Sequence, residues 1–202
     1  AALGLSPYFK HIIATDASAQ QISQATLCDN VTYCVALAEE THLADRSIDL
    51  ITVAQALHWF HFDQFYAEVK RILKKQGIIA AWTYPLLRII PEVDQIIDKF
   101  YYKTLANYWP SERRWVDTNY EEVPFPFQLI NAPVFTMQAT WHFEHLLGYL
   151  ATWSAVQRYQ TQHQENPITS IVEALHDAWG NIAEEKNVSW QIILKVGRFC
   201  EV

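Results

Sequence analysis

Residues 47–84, SIDLITVAQALHWFHFDQFYAEVKRILKKQGIIAAWTY, limit most narrowly what this chain can fold into. Ile48 to Val53 is an apolar run broken only by Asp49 and Thr52, which suits a strand buried on both faces. Phe62, Phe65, Tyr66, Val69, Ile72 and Leu73 recur at helical spacing and form one apolar stripe. Lys70, Arg71, Lys74 and Lys75 fall where cations favour the negative end of a helix. Gly77 is the expected helix stop, and residues 77–84 the next strand. Strand, helix and strand at this spacing predict a right-handed parallel crossover. Gln55-Ala56-Leu57-His58-Trp59-Phe60 then occupies the carboxyl end of the first strand, where open α/β sheets bind ligands.

An earlier segment repeats the signal. Residues 11–16, HIIATD, are a short apolar run ending in an acid, and Ser18 followed by Gln21 is a capping-box pattern. A carboxylate at the tip of a buried strand is partly desolvated, which costs stability. It is also placed to accept two hydrogen bonds from a ribose diol, a charge-assisted contact worth about 1.5–3 kcal/mol. Asp16 therefore has two readings, a strand-end cap or a ligand-binding acid.

Composition excludes several classes. Half of the 202 residues are hydrophobic and 14% are aromatic, enough to build a core and to argue against disorder. The net charge of -7 and the lack of a basic cluster with interleaved aromatics disfavour nucleic acid. No apolar run reaches the length of a membrane span, and no charged-then-apolar leader opens the sequence. Cys28, Cys34 and Cys200 lack metal-ligand spacing and fit reduced cytoplasmic thiols. The eight histidines are scattered, so no metal is expected.

The remaining pattern is one α/β unit. Strands are expected at 11–16, 31–36, 48–54, 77–84, 134–141 and 190–199, and helices at 18–27, 62–75, 92–107, 143–160 and 167–186. Residues 108–133 mix prolines, aromatics and charges without periodicity and read as an irregular lid or insertion.

HIIATDAS, VTYCVALAEETHLADRSIDLITVAQALHWF and FYAEVKRILKKQGIIAAW, in that order, resemble the class I, Rossmann-like methyltransferases that depend on S-adenosylmethionine. Within them the chain is most similar to the methyltransferase type 11 group. LLGYLATWSAVQRY and SWQIILKVGRF resemble its trans-aconitate-like subgroup. The resemblance implies an α/β fold with a mostly parallel sheet, helices on both faces and an antiparallel last strand. It implies a single domain over 1–202. It also implies a glycine-rich loop ahead of Ala1, which makes the domain N-terminally incomplete; a chain without that loop is expected to bind the cofactor poorly and to be inactive.

The same resemblance implies site residues. Asp16 matches the ribose-binding acid, with Ala17 beside the adenine. Ala38 and Glu39 match the loop that reaches the adenine amine, although Glu39 equally suits a solvated surface. Gln55 and Ala56 match the turn beside the methionine end. His58 and Trp59 stand near the substrate, with Trp59 either a substrate wall or packing for the following helix. Trp82, Tyr84, Trp153 and Arg158 are the remaining substrate candidates. Arg158, or the pair Arg113-Arg114, suits a carboxylate because arginine binds it with two parallel hydrogen bonds. The aromatics also suit an amine cage or simply the core.

The expected function is methyl transfer to a small molecule, with a carboxylate as one candidate acceptor. Nucleic-acid and membrane partners are not expected. Methyl transfer from a sulfonium is an in-line displacement in which positioning supplies much of the catalysis. A base is needed only for a protonated acceptor, so no catalytic residue is assigned. A non-catalytic scaffold and a dinucleotide-dependent oxidoreductase, which also uses an acid after its second strand, remain the alternatives.

Overall fold

A computed structural model describes residues 1–200. The chain divides into two compact units. The first comprises residues 1–82, 123–132 and the stretch from 194 onward; the second comprises 83–122 and 133–193.

The first unit carries α1 (Ala2–Leu5), β1 (Ile12–Asp16), α2 (Ala19–Ser23), β2 (Val31–Val35), β3 (Ile48–Ala54), α3 (Phe62–Ile72) and most of β4 (Leu73–Thr83). β1 and β2 pair in parallel as a two-stranded sheet, from Ile12 opposite Val31 to Asp16 opposite Val35. β3 and β4 also pair in parallel, which is the expected crossover. The second sheet runs β3-β4-β7-β5, where β5 is Gln128–Ile130 and β7 is Lys186–Arg198. β7 takes β5 antiparallel along residues 196–198, so the sheet is mixed.

Helix α3 forms because its apolar stripe is buried. Phe65, Tyr66, Val69 and Ile72 face the core. It ends three residues before the expected position, because Leu73 turns extended and pairs at once with Ile48. The next pair is Leu50 with Ile78, so residues 74–77 bulge out of the ladder. Gly77 is therefore a close-packing residue of the bulge, not a helix stop. A Cβ there would lie 2.8 Å from the Lys74 carbonyl oxygen. Lys74 serves the strand too: its Nζ lies 2.9 and 2.8 Å from the two Asp49 carboxylate oxygens. Helix α2 is shorter than the expected 18–27, since Gln24 leaves helical geometry. β5 has only three residues, too few for a periodicity to reveal it.

Gly197 on β7 makes another close approach. A Cβ there would lie 2.6 Å from Phe127 Cβ and 2.7 Å from Phe125 Cε1. Phe127 Cβ cannot swing away without its backbone. Gly197→Ala is therefore expected to cost about 1–3 kcal/mol as an overpacking substitution. Urea titration would read this as a lower midpoint at unchanged slope; an unshifted midpoint would mean that the two rings yield freely.

The second unit holds α4 (Pro91–Lys99), α5 (Arg113–Asp117), β6 (Phe135–Trp141), α6 (Phe143–Ala151), α7 (Ser154–His163), α8 (Val172–Trp179) and the first part of β7. β6 pairs antiparallel with residues 186–192 of β7. Their core gathers Val93, Ile97, Phe100, Leu146, Leu150, Leu175 and Trp179. Three expected helices are subdivided. The 92–107 helix leaves α geometry after Lys99 for a π-type turn at Phe100–Thr104 and a 3₁₀ turn at Ala106–Tyr108. The 143–160 helix breaks at Trp153, which is extended, while Thr152 Oγ1 donates back to the Tyr149 carbonyl, a bond that competes with helix continuation. The 167–186 helix stops at Gly180, whose φ of 78° turns the chain toward β7. The segment expected to be a lid is partly core: Val116 and Tyr120 are fully buried, and Phe127 is buried.

Candidate active site

The parallel strands of the first unit end on one chain of contacts. Asp16 closes β1, and its carbonyl accepts from the Ala36 N–H at 3.1 Å. The exposed Asp16 carboxylate accepts the Ser18 N–H on Oδ1 at 2.8 Å, and Ser18 Oγ in turn accepts from the Gln21 N–H. The cap reading of Asp16 is thereby met. One oxygen orders the start of α2, and Oδ2 has no hydrogen bond among the described residues. Ala17 follows, exposed.

After β2 the chain folds into a tight turn at 37–40, with the Glu40 N–H bonded to the Leu37 carbonyl. Ala38 and Glu39 are half-buried there. Glu39 Oε1 accepts the His61 N–H at 2.9 Å, which satisfies a free donor at the start of α3. A ligand meeting this loop would thus find backbone groups and one remaining carboxylate oxygen.

β3 ends at Ala54, and Gln55 directly after it has a left-handed φ of 53°. Such a φ is uncommon outside glycine and clusters at functional turns. The Gln55 N–H donates to the Trp82 carbonyl at 2.8 Å, holding the turn against the end of β4. Ala56 is half-buried and leads into a 3₁₀ turn, Leu57–Trp59. His58 is buried, with its ring 4.9 Å from that of Trp59. Trp59 is 53% exposed, and Phe60 packs against Phe65 of α3. Asp16, Ala38, Glu39, Gln55 and Trp82 therefore belong to successive strand ends of the first unit.

The other substrate candidates lie in the second unit. Tyr84 is half-buried, and burial pushes its phenol pKa up, followed by the neighbouring Tyr149, while Arg113 opposes the shift. Trp153 is buried against Phe100, Tyr101 and Trp109. Arg158 is exposed on α7. Arg114 is exposed over the Trp115 ring. Arg113 is different, with only 19% of its side chain exposed. Its Nε donates to Tyr101 Oη at 2.7 Å, and that hydroxyl donates to Asp117 Oδ1 at 2.6 Å. Burial raises the Tyr101 pKa strongly, so the phenol stays protonated. Tyr101, Trp109 and Asp117 were not singled out in the sequence; the i, i+4 spacing of Arg113 and Asp117 was the available signal.

Among the described residues, no group of three His, Cys, Asp or Glu side chains could hold a metal, and no helix is long and apolar enough to cross a membrane.

Parallel strands joined by a helix, with loops converging at their carboxyl ends, define a Rossmann-like α/β fold and its ligand-binding edge. A family model described as a methyltransferase domain matches residues 1–81. A Dictyostelium discoideum protein described as a methyltransferase is 34% identical over 182 residues, covering 89% of this chain and 69% of that protein. A Saccharomyces cerevisiae protein described as an S-adenosylmethionine-dependent methyltransferase is 26% identical over 128 residues, covering 57% of this chain and 44% of its own length. Among solved structures, one assigned as a type II methyltransferase from Anaeromyxobacter dehalogenans superposes with a TM-score of 0.90 at 40% identity. It covers 100% of this chain and 86% of that one. The chain belongs to the methyltransferase family, with the Rossmann-like methyltransferase fold.

Proposed function

We propose that this protein transfers a methyl group from S-adenosylmethionine to a small organic acceptor, and that the strand-end rim of the first unit holds the cofactor. The observation that carries the reading is the set of contacts from Asp16 through the 37–40 turn to the left-handed Gln55. The residues present fit the cofactor. Asp16 keeps one carboxylate oxygen for a ribose diol, and Ala38 and Glu39 offer backbone groups to an adenine. The Gln55 turn brings backbone close to a ligand beside β4. When bound, the cofactor supplies an electrophilic methyl group. The protein's part is to bind and orient, because holding two reactants in line replaces much of the barrier. The yeast relative's described cofactor supports the same assignment. A small-molecule acceptor, cytoplasmic residence with the free thiols of Cys28, Cys34 and Cys200, and no nucleic-acid or membrane partner complete the proposal. The acidic net charge of -7 supports the last point.

In the full-length protein, Asp16→Ala is expected to weaken S-adenosylmethionine binding by about 1.5–3 kcal/mol, or roughly ten- to a hundredfold. Asp16→Asn keeps an acceptor for the Ser18 N–H and removes the charge, so it separates capping from binding. Calorimetry on the three proteins checks this. Equal affinities would leave Asp16 as a cap alone, and absence of any binding by the full-length protein would overturn the proposed function.

A further inference from the structure

We propose that two copies of this protein pair through strand β6, edge to edge and antiparallel about Gln138. This goes beyond the methyl-transfer reading and does not rest on it. β6 lies along the outside of β7, and its other edge has no strand partner among the described residues. The register shows what that edge presents. Ser189 of β7 stands opposite Gln138, yet its N–H and its carbonyl are both bonded to Arg88, each at 2.9 Å. The N–H and C=O of one residue in an antiparallel strand point to the same side, so Gln138 and Ser189 form a non-hydrogen-bonded pair. The Gln138 backbone groups therefore face outward. The ladder runs without a bulge, so those of Thr136 and Thr140 face outward as well.

The order of residues along β6 then names the partner. Edge strands are commonly guarded against pairing by charges or proline, and the stretch FTMQATW carries neither. Its pattern also reads nearly the same from both ends. An antiparallel copy centred on Gln138 sets Gln138 opposite itself and Thr136 opposite Thr140. These are the outward-facing residues, and each such pair can exchange two backbone hydrogen bonds. In the same register Phe135 meets Trp141 of the second copy and Met137 meets Ala139, at the positions where side chains come closest. Phe135 and Met137 are 48% and 38% exposed. Trp141 is packed on Trp190 and Tyr149, at 5.1 and 5.2 Å between ring centroids. Pairing thus covers two exposed apolar side chains and extends each aromatic cluster with the other copy's Phe135. A slip by one residue would set outward-facing groups against inward-facing ones. The lack of charge favours a second copy too: chains that each carry a net charge of -7 repel, and a neutral strand lets them meet. Each copy uses the same edge, so the pairing is isologous and closes as a dimer.

The test is sedimentation velocity on the full-length protein, over a concentration series from micromolar to sub-millimolar. We expect a reversible monomer–dimer equilibrium. Gln138→Pro removes an outward N–H and spares the ladder to β7, and it should raise the dimer dissociation constant at least tenfold. Should that variant fail to fold, Gln138→Lys, which sets two like charges on the axis, should do the same with circular dichroism and melting temperature unchanged. Charge pairs test the register. Thr136→Lys with Thr140→Lys opposes like charges and should abolish the dimer, whereas Thr136→Lys with Thr140→Glu opposes unlike charges and should keep it within a few-fold. A protein that stays monomeric throughout the series, the result if this edge serves a different protein, overturns the proposal. So does a dimer indifferent to the Gln138 variants, or one that both double variants weaken alike.

Discussion

Trp179→Ala is expected to lower the stability of the second unit by about 3–5 kcal/mol, the range for removing a large aromatic from a core. Trp179 closes α8 with 2% of its surface exposed. It packs edge-to-face on Phe143 at 5.7 Å between ring centroids and stands under the Lys186 ammonium at 5.6 Å. Its indole N–H donates to the Glu184 carbonyl at 3.2 Å, tying the turn after Gly180 back to the helix. Truncation removes the ring from the core and the anchor from this turn together. Against a typical total of about 5–15 kcal/mol, the loss is large enough to unfold a marginal unit. Trp179→Phe keeps a ring in the core and gives up the hydrogen bond, worth about 1 kcal/mol. Its cost should therefore be clearly smaller. Guanidinium titration followed by near-ultraviolet circular dichroism reads both variants. Equal losses would assign the effect to the turn and not to the core.

The parts of this fold legible in the sequence are those where one local pattern faced one environment. The 48–54 strand and the start of α3 follow from an apolar run and an apolar stripe that tertiary packing leaves unchallenged. Asp16 was visible because an acid ending an apolar run is unusual, and the Ser18 to Gln21 contact is present as the pattern implied. The end of α3 was hidden because Leu73, a good helix former, is captured by a long-range partner, Ile48. The break at Trp153 was hidden for a similar reason: local periodicity continues across it, while burial among Phe100, Tyr101 and Trp109 decides its backbone. The Arg113 arrangement depends on Tyr101 reaching Arg113 and Asp117 from twelve and sixteen residues away. Only the Arg113 to Asp117 spacing within α5 carried any trace of it. The left-handed Gln55 was likewise invisible, since no glycine or asparagine marks that turn.

Acid is expected to loosen the first unit through Glu68, more than through any exposed pair. Glu68 sits on the inner side of α3 with 9% of its side chain exposed. Arg71 grips it with two bonds, Nε to Oε2 and Nη2 to Oε1, each 2.8 Å. The Thr41 N–H donates to Oε1 at 2.9 Å, and the Thr41 hydroxyl donates to the same oxygen. Arg71 also reaches the Leu43 carbonyl and the Asp45 carboxylate. The result is a clasp that fastens residues 41–45, directly after the turn carrying Ala38 and Glu39, onto α3. The Arg71 bonds hold the Glu68 pKa at about 2, below the ordinary 4.5, with burial opposing them and Thr41 assisting. A depressed carboxyl pKa stabilises the fold fully above the unfolded value, and the benefit fades as pH falls from about 4.5 toward 2. The shift corresponds to about 3 kcal/mol. Glu68→Gln, which keeps the shape and removes the charge, should thus cost on the order of 3 kcal/mol at pH 7 and progressively less in acid. The two unfolding curves should converge near pH 2. Urea titrations of both proteins from pH 7 to pH 2 measure the difference directly. A gap that stays constant across that range would mean that Glu68 acts through packing, and the clasp would then owe nothing to its charge.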